Sequence, residues 1–412
     1  MIPFFFILSL LAILVILQLI GKGFGERIFY VTLASVAAKL MIGLLNKVAG
    51  PLPGADVDAV TFEVVGIELA QTWSISGVEF LAFTDRYAYA NILAVLFYVD
   101  GHNIALVPMF NTALTTFAAF NVYVAARTLK VAKKYIYLIA IVLALNPIIT
   151  LYSAVPMREA AIYALITLFF RVLVSRPRRP IVIANPILLL TIAAAIYLHV
   201  GLAPLVLVLV AYGFNLSVSL KALLRVRNLA GLGLLLIIVS VALNSAVILE
   251  LPRMAKLLDP DTGALSYSAL ESAQEAKSRG SGAYTYPSAL TGITVIDAAI
   301  TGVYMTARLI LSPFPWELRS ASGTTLVKLF DLAFQIGLNL LAIRGLRGRR
   351  GDDRRVFLYA SYLFMSLIFG LNTVNDGIAL RHRAKFIWIL VLVAFSLRID
   401  RRQPSAKKQA PT

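Results

Sequence analysis

Long apolar stretches alternate along this chain with short polar connections, and every second connection is loaded with Lys and Arg. A hydrocarbon layer of about 30 Å takes about 20 apolar helical residues to cross. Stretches of that kind lie near 3–20, 28–48, 104–126, 135–151, 158–174, 182–200, 202–218, 229–249, 325–343, 356–371 and 384–398. They predict an all-α integral membrane protein, a polytopic bundle of about eleven transmembrane helices. The basic connections are 127–134 (ArgThrLeuLysValAlaLysLys), 176–180 (ArgProArgArgPro), 221–227, 344–355 and the tail from Arg398. Excess Lys and Arg marks the cytoplasmic side of a membrane, so these connections share one face. Lys22 and Arg27 join them, which puts the N-terminus outside and the C-terminus inside, in agreement with an odd number of crossings. Residues 292–313 are apolar enough to insert but would break that parity. They read as an interfacial or re-entrant helix ending at the turn ProPheProTrp.

The opposite face carries two long connections, 49–103 and 250–324. In the first, ProLeuProGlyAlaAspValAsp turns the chain. Asp58, Thr61, Glu68 and Gln71 then interrupt apolar positions at helical spacing, which predicts an amphipathic helix along the membrane surface over 57–72. A second interfacial segment is expected near Tyr87–Tyr98. Gly, Pro and Ser punctuate the second long connection, as in a flexible cover. There is no internal repeat. Residues 1–400 read as one polytopic domain, and 401–412 as a disordered basic cytoplasmic tail.

At 59% hydrophobic and 14% charged, with a mean hydropathy of +0.83, the chain holds more apolar surface than one soluble core can hide. The net charge of +17 does not call for nucleic acid. Most of it flanks apolar spans, where anionic lipids account for it, and no nucleic-acid-binding motif is present. The lack of Cys removes disulfides, thiol catalysis and Cys-ligated zinc, and three His make a His-rich metal site a poor fit. No phosphate-binding Walker sequence, dinucleotide fingerprint or HisGluXaaXaaHis string occurs. The apolar start lacks a basic leader and a small-residue cleavage site, so it reads as a retained span.

Candidate chemistry gathers on the acidic face. Asp56 and Asp58 follow the Pro-Gly turn, where a carboxylate could take a proton from a sugar hydroxyl or hold a divalent cation such as Mg or Mn. The alternative is a solvated loop with Asp58 capping the next helix. Arg158 and Glu159 open a span. An Arg beside a helix N-terminus is unfavourable unless an anion offsets it, and a lipid-linked phosphate is one such anion; the alternative is an Arg reaching to lipid head groups. Arg381, His382, Arg383 and Lys385 stand before the last span, on the side where basic residues are disfavoured. Guanidinium groups grip phosphate through paired donors, so Arg381 and Arg383 suit a polyprenyl phosphate head; pairing with Asp376 is the structural alternative. His199 reads as an acid, a hydrogen-bonding group or a structural residue. Glu317, in ProPheProTrpGlu, either binds sugar hydroxyls or faces water.

In order and context these segments resemble the GT-C superfamily of polytopic glycosyltransferases. The likeness covers roughly residues 50–400. The acidic turn with its helix (Asp56, Asp58) is similar to that family's first external loop. TyrAlaTyrAlaAsnIleLeuAlaValLeuPhe, AlaLeuAsnProIleIleThrLeuTyrSerAlaValProMetArgGluAla, ProPheProTrpGlu and ArgHisArg follow in similar sequence. The chain departs from the family in that Asp58 precedes AlaValThrPhe rather than a second acid, and in an extra span before the acidic loop. The resemblance implies an inverting enzyme of a bacterial inner membrane. Its donor would be a sugar on undecaprenyl phosphate, its acceptor a glycan, lipid or protein on the outer face, and membrane lipids its surroundings. Asp58 would act as base, Arg381, Arg383 and Arg158 would bind lipid phosphate, and Glu317, His199 and Glu159 would contact substrate, with no redox or organic cofactor. The rivals are a repeat-unit polymerase of the O-antigen or exopolysaccharide type and a glycolipid transporter or flippase. Transport ranks behind because charge is scarce in the predicted span centres, apart from Lys39, Arg308 and Asp331.

Overall fold

Backbone groups removed from water find partners only within a helix or a closed barrel, and these Leu-, Ile-, Val- and Ala-rich stretches take the first course. The computed structural model describes residues 3–50, 56–80, 87–214, 295–314, 323–347, 353–371, 373 and 376–396. Among the described residues there are fourteen α-helices and no strands. In chain order they are α1 (Phe4–Phe24), α2 (Glu26–Val48), α3 (Asp56–Ser76), α4 (Tyr89–Asp100), α5 (Leu106–Thr128), α6 (Lys133–Leu145) and α7 (Pro147–Ala154). There follow α8 (Glu159–Ser175), α9 (Pro186–Leu198), α10 (Leu205–Gly213), α11 (Val295–Leu311), α12 (Gly323–Arg347), α13 (Asp353–Leu371) and α14 (Asp376–Ser396). The stretches expected at 229–249 and over most of 250–324 lie outside the described residues.

By length and composition α1, α2, α12 and α13 can each cross a membrane. The single span expected over 135–151 is instead two helices bent by 59°. Asn146 causes the break: its side chain accepts from the Ile149 backbone N–H at 2.8 Å and so caps α7, while Pro147 has no N–H with which to continue α6. The expected span 182–200 shortens to α9 for a related reason, with Asn185 and Pro186 starting it and the turn at 199–204 ending it, while the span expected from 202 starts at Leu205 and its last residues, 215–218, lie outside the described residues. Helix α14 begins well before residue 384, so Arg381, His382, Arg383 and Lys385 sit in its opening turns and not in a loop.

Packing brings the described basic connections to one end of the bundle. The Arg127 guanidinium lies 5.0 Å from the Phe24 ring, and Arg355 donates to the carbonyl of Leu129 at 2.8 Å. Arg178 lies 5.3 Å from the Phe357 ring, and Tyr212 donates to the carbonyl of Arg176 at 2.8 Å. The α1–α2, α5–α6 and α8–α9 turns, the end of α10 and the start of α13 therefore form one basic rim. The described part of the 49–103 connection lies at the far end, where the Phe6 N–H donates to Asp100 at 2.9 Å and Lys47 pairs with Glu63.

Three glycines permit close helix approaches in this part of the bundle. Helix α3 buries Ala59, Phe62, Gly66, Ala70 and Trp73 along one stripe and leaves Val60, Val64 and Ile75 exposed. A Cβ on Gly66 would fall 2.8 Å from Cβ of Leu93, so its absence lets α3 lie against α4. A Cβ on Gly370 would fall 2.9 Å from the carbonyl oxygen of Met305, while Gly302 faces Leu367. These contacts keep the same spacing on both helices, so α11, expected to be interfacial or re-entrant, runs alongside α13 in the same direction.

Candidate functional site

The opening turns of α14 meet the first turns of α3 and α8 and the end of α7. Arg381 is shared by two carboxylates: it donates to Asp58, and its Nε lies 3.9 Å from Oε1 of Glu159. Lys385, one helical turn later, places Nζ 3.5 Å from the same Glu159 oxygen. The Arg381 guanidinium also lies 5.9 Å from the centre of the Tyr152 ring. Exposure falls steadily through the group, from 48% for the Asp58 side chain and 20% for Arg381 to 1% for Glu159 and 0% for Lys385. Asp58 and Arg381 are thus the reachable members, with Glu159 and Lys385 beneath them.

Arg158 stands beside this group as the N-cap residue of α8. The charge conflict anticipated there is relieved within the chain, because Arg158 donates to the carbonyl of Leu198 at 3.0 Å, in the carbonyl-rich end of α9. Its guanidinium also lies 5.8 Å from the ring of Phe62 on α3. Glu159, considered as a contact for substrate, is instead a buried counter-charge. The Nδ1 atom of His199 accepts from the Gly201 backbone N–H at 3.1 Å and so caps the 3₁₀ turn Val200–Leu202. The same ring lies 5.3 Å from Phe369 and 6.0 Å from His382, an arrangement of support.

Arg381 and Arg383 do not form a phosphate-gripping pair. Residues two apart on a helix point about 200° apart, whereas residues four apart share a face. Arg383 faces the other way, with Nη2 2.6 Å from Oδ2 of Asp331 on α12. Its Nη1 donates to the carbonyls of Leu309 and Ile310, both at 3.3 Å, and to that of Ser312, closing the end of α11. Lys385 is the residue that shares the Arg381 face, and the spacing of four within one helix was the available signal for it. Asp331 had no such signal. Arg381 pairs with Asp58 and Arg383 with Asp331. Asp58 also lies inside the first turn of α3 and does not cap it.

The side chains of Asp56 and Asp376, and all of Glu317, lie outside the described residues. Of the two residues considered for a divalent cation, only the Asp58 side chain is described. An Arg already occupies the Asp58 carboxylate, and no cluster of three His, Asp or Glu occurs among the described residues. Charge inside the bundle is less scarce than the sequence suggests: Lys39, Arg308, Asp331, Arg355, Arg383 and Lys385 are all buried. No protein-family model, no curated protein and no solved structure matches this chain.

Proposed function

We propose that this chain is a membrane glycosyltransferase of the GT-C kind, with about eleven spans in a bacterial inner membrane. The basic rim faces the cytoplasm and the Asp58–Arg381 end faces outward, with α3 at the lipid surface. The donor is a sugar on a polyprenyl phosphate, and the acceptor a hydroxyl of a glycan, lipid or protein. The observation that carries this reading is the Asp58–Arg381 pair, an exposed carboxylate held against a half-buried guanidinium from 323 residues away.

Three cations (Arg158, Arg381 and Lys385) accompany two carboxylates (Asp58 and Glu159), which formally leaves one positive charge for a phosphodiester. The donor phosphate competes with Asp58 for Arg381, and its arrival frees the carboxylate. The acceptor oxygen then bonds to the anomeric carbon as the bond from that carbon to the phosphate oxygen breaks. The electron pair leaves with the phosphate, and the acceptor proton passes to Asp58. Arg381, helped by Arg158, offsets the negative charge that the departing phosphate gains.

In lipid-reconstituted protein, Asp58→Asn is expected to lower turnover by about 10²- to 10⁴-fold with donor affinity retained. Arg381→Ala is expected to lower donor affinity as well. Full activity in Asp58→Asn removes the proposed base. A requirement for two lipid-linked substrates would instead identify the polymerase. The buried ionisable residues favour a second reading, a glycolipid transporter; movement of lipid-linked sugar across vesicles with no glycosidic bond made would select it.

A further inference from the structure

A small cavity away from that site lies among α2, α5, α6 and α14, walled by Thr32, Ser35, Lys39, Thr116, Tyr123 and Trp388. It has room for a guest of about the size of a water molecule or a halide ion. Lys39 is 4% exposed, near the middle of a helix apolar enough to cross a membrane. It makes no hydrogen bond or ion pair with any described residue. Trp388 Nε1 is buried with no acceptor among the described residues. Three of the nearby hydroxyl protons, those of Thr32, Thr116 and Tyr123, are already used. Thr32 donates to the carbonyl of Ile28 at 2.8 Å, and Thr116 to that of Thr112 at 2.7 Å. Tyr123, 3.3 Å from Thr32, is left to donate to the Thr32 oxygen.

Two donors at this cavity, Lys39 Nζ and Trp388 Nε1, therefore lack a partner among the described residues, and one of them belongs to a cationic side chain. A lone ammonium enclosed by apolar helices is costly, and a buried donor without an acceptor adds to that cost. A guest that accepts hydrogen bonds and carries one negative charge relieves both. The space is too small for a phosphate or carboxylate ligand. We propose that this cavity binds a small monovalent anion of halide size, such as chloride, between Lys39 and Trp388. Trp388 sits on the helix that carries Arg381, so the bound anion ties α2 to α14. The proposal stands independently of the glycosyl-transfer reading.

The test is thermal unfolding of the full chain in lipid nanodiscs at fixed ionic strength, with chloride or bromide replacing gluconate. The midpoint is expected to rise by a few degrees and saturate with either halide, because a ligand of the folded state stabilises it by mass action. Lys39→Met should abolish the effect. Trp388→Phe, which keeps the charge, should raise the half-saturating concentration by about tenfold. Bromide-soaked crystals should show an anomalous peak between Lys39 Nζ and Trp388 Nε1, a measurement that remains available should Lys39→Met fail to fold. No halide dependence in the wild type, the same dependence in Lys39→Met, or a peak absent from this position each overturns the proposal; a cavity holding water alone gives the first and third of these.

Discussion

Arg383 shows how helical phase assigns a residue its work. Two positions after Arg381 it faces away from the candidate site, and it joins Asp331 with both side chains 2% exposed. Breaking one half of a buried pair leaves an uncompensated charge, at a cost of about 3–5 kcal/mol, whereas replacing both halves with apolar side chains of similar size is often nearly neutral. Arg383→Met and Asp331→Leu should each lower the unfolding midpoint sharply, and the double variant should recover most of it. Donor affinity per folded molecule should stay unchanged in Arg383→Met. A loss of affinity without loss of stability would return Arg383 to the phosphate site.

At the scale of elements, the position of Asp58 depends on how closely α3 rests on α4. Leu at position 66 would collide with Leu93, and overpacking of this kind costs about 1–3 kcal/mol. Gly66→Leu should therefore reduce both stability and turnover by shifting Asp58 away from Arg381. Gly337 in α12 has no neighbour within 4 Å of an added Cβ, so Gly337→Ala is the control. It should be neutral or stabilising by up to about 1 kcal/mol, from helix propensity alone. Equal losses in the two variants would show that the close α3–α4 approach is not what sets the site. The helical spacing of polar and apolar positions over 57–72 agrees with helix α3, whose exposed face mixes Asp58, Glu68 and Gln71 with Val60, Val64 and Ile75. The Asn146–Pro147 break was not read from the apolar run, because a side-chain cap competes there with continuation of the helix.

At the scale of the whole molecule, the alternation of basic and acidic connections becomes a separation into two ends. The chain has no Cys, so single introduced thiols report sidedness cleanly. Position 130 lies on the basic rim and position 76 at the end of α3, and both are exposed. In intact cells an impermeant thiol reagent should label Ser76→Cys, and should reach Lys130→Cys only after permeabilisation. The reverse pattern would turn the protein over in the membrane and put Asp58 in the cytoplasm, out of reach of an external acceptor.

The sequence alone determined that the chain is helical, that several helices are apolar enough for a bilayer, and which turns are basic. Those properties follow from composition and period within a window of some twenty residues. It also marked Asp58, Arg158 and Arg381 as residues of interest, because charge beside an apolar span stands out locally. Only the tertiary structure decided which charges meet: Asp58 with Arg381, Glu159 with Lys385, and Asp331 with Arg383. It also decided that Lys39 faces a cavity with no protein partner among the described residues. Such pairings depend on the phase and depth at which distant helices pack, which no local stretch of sequence contains.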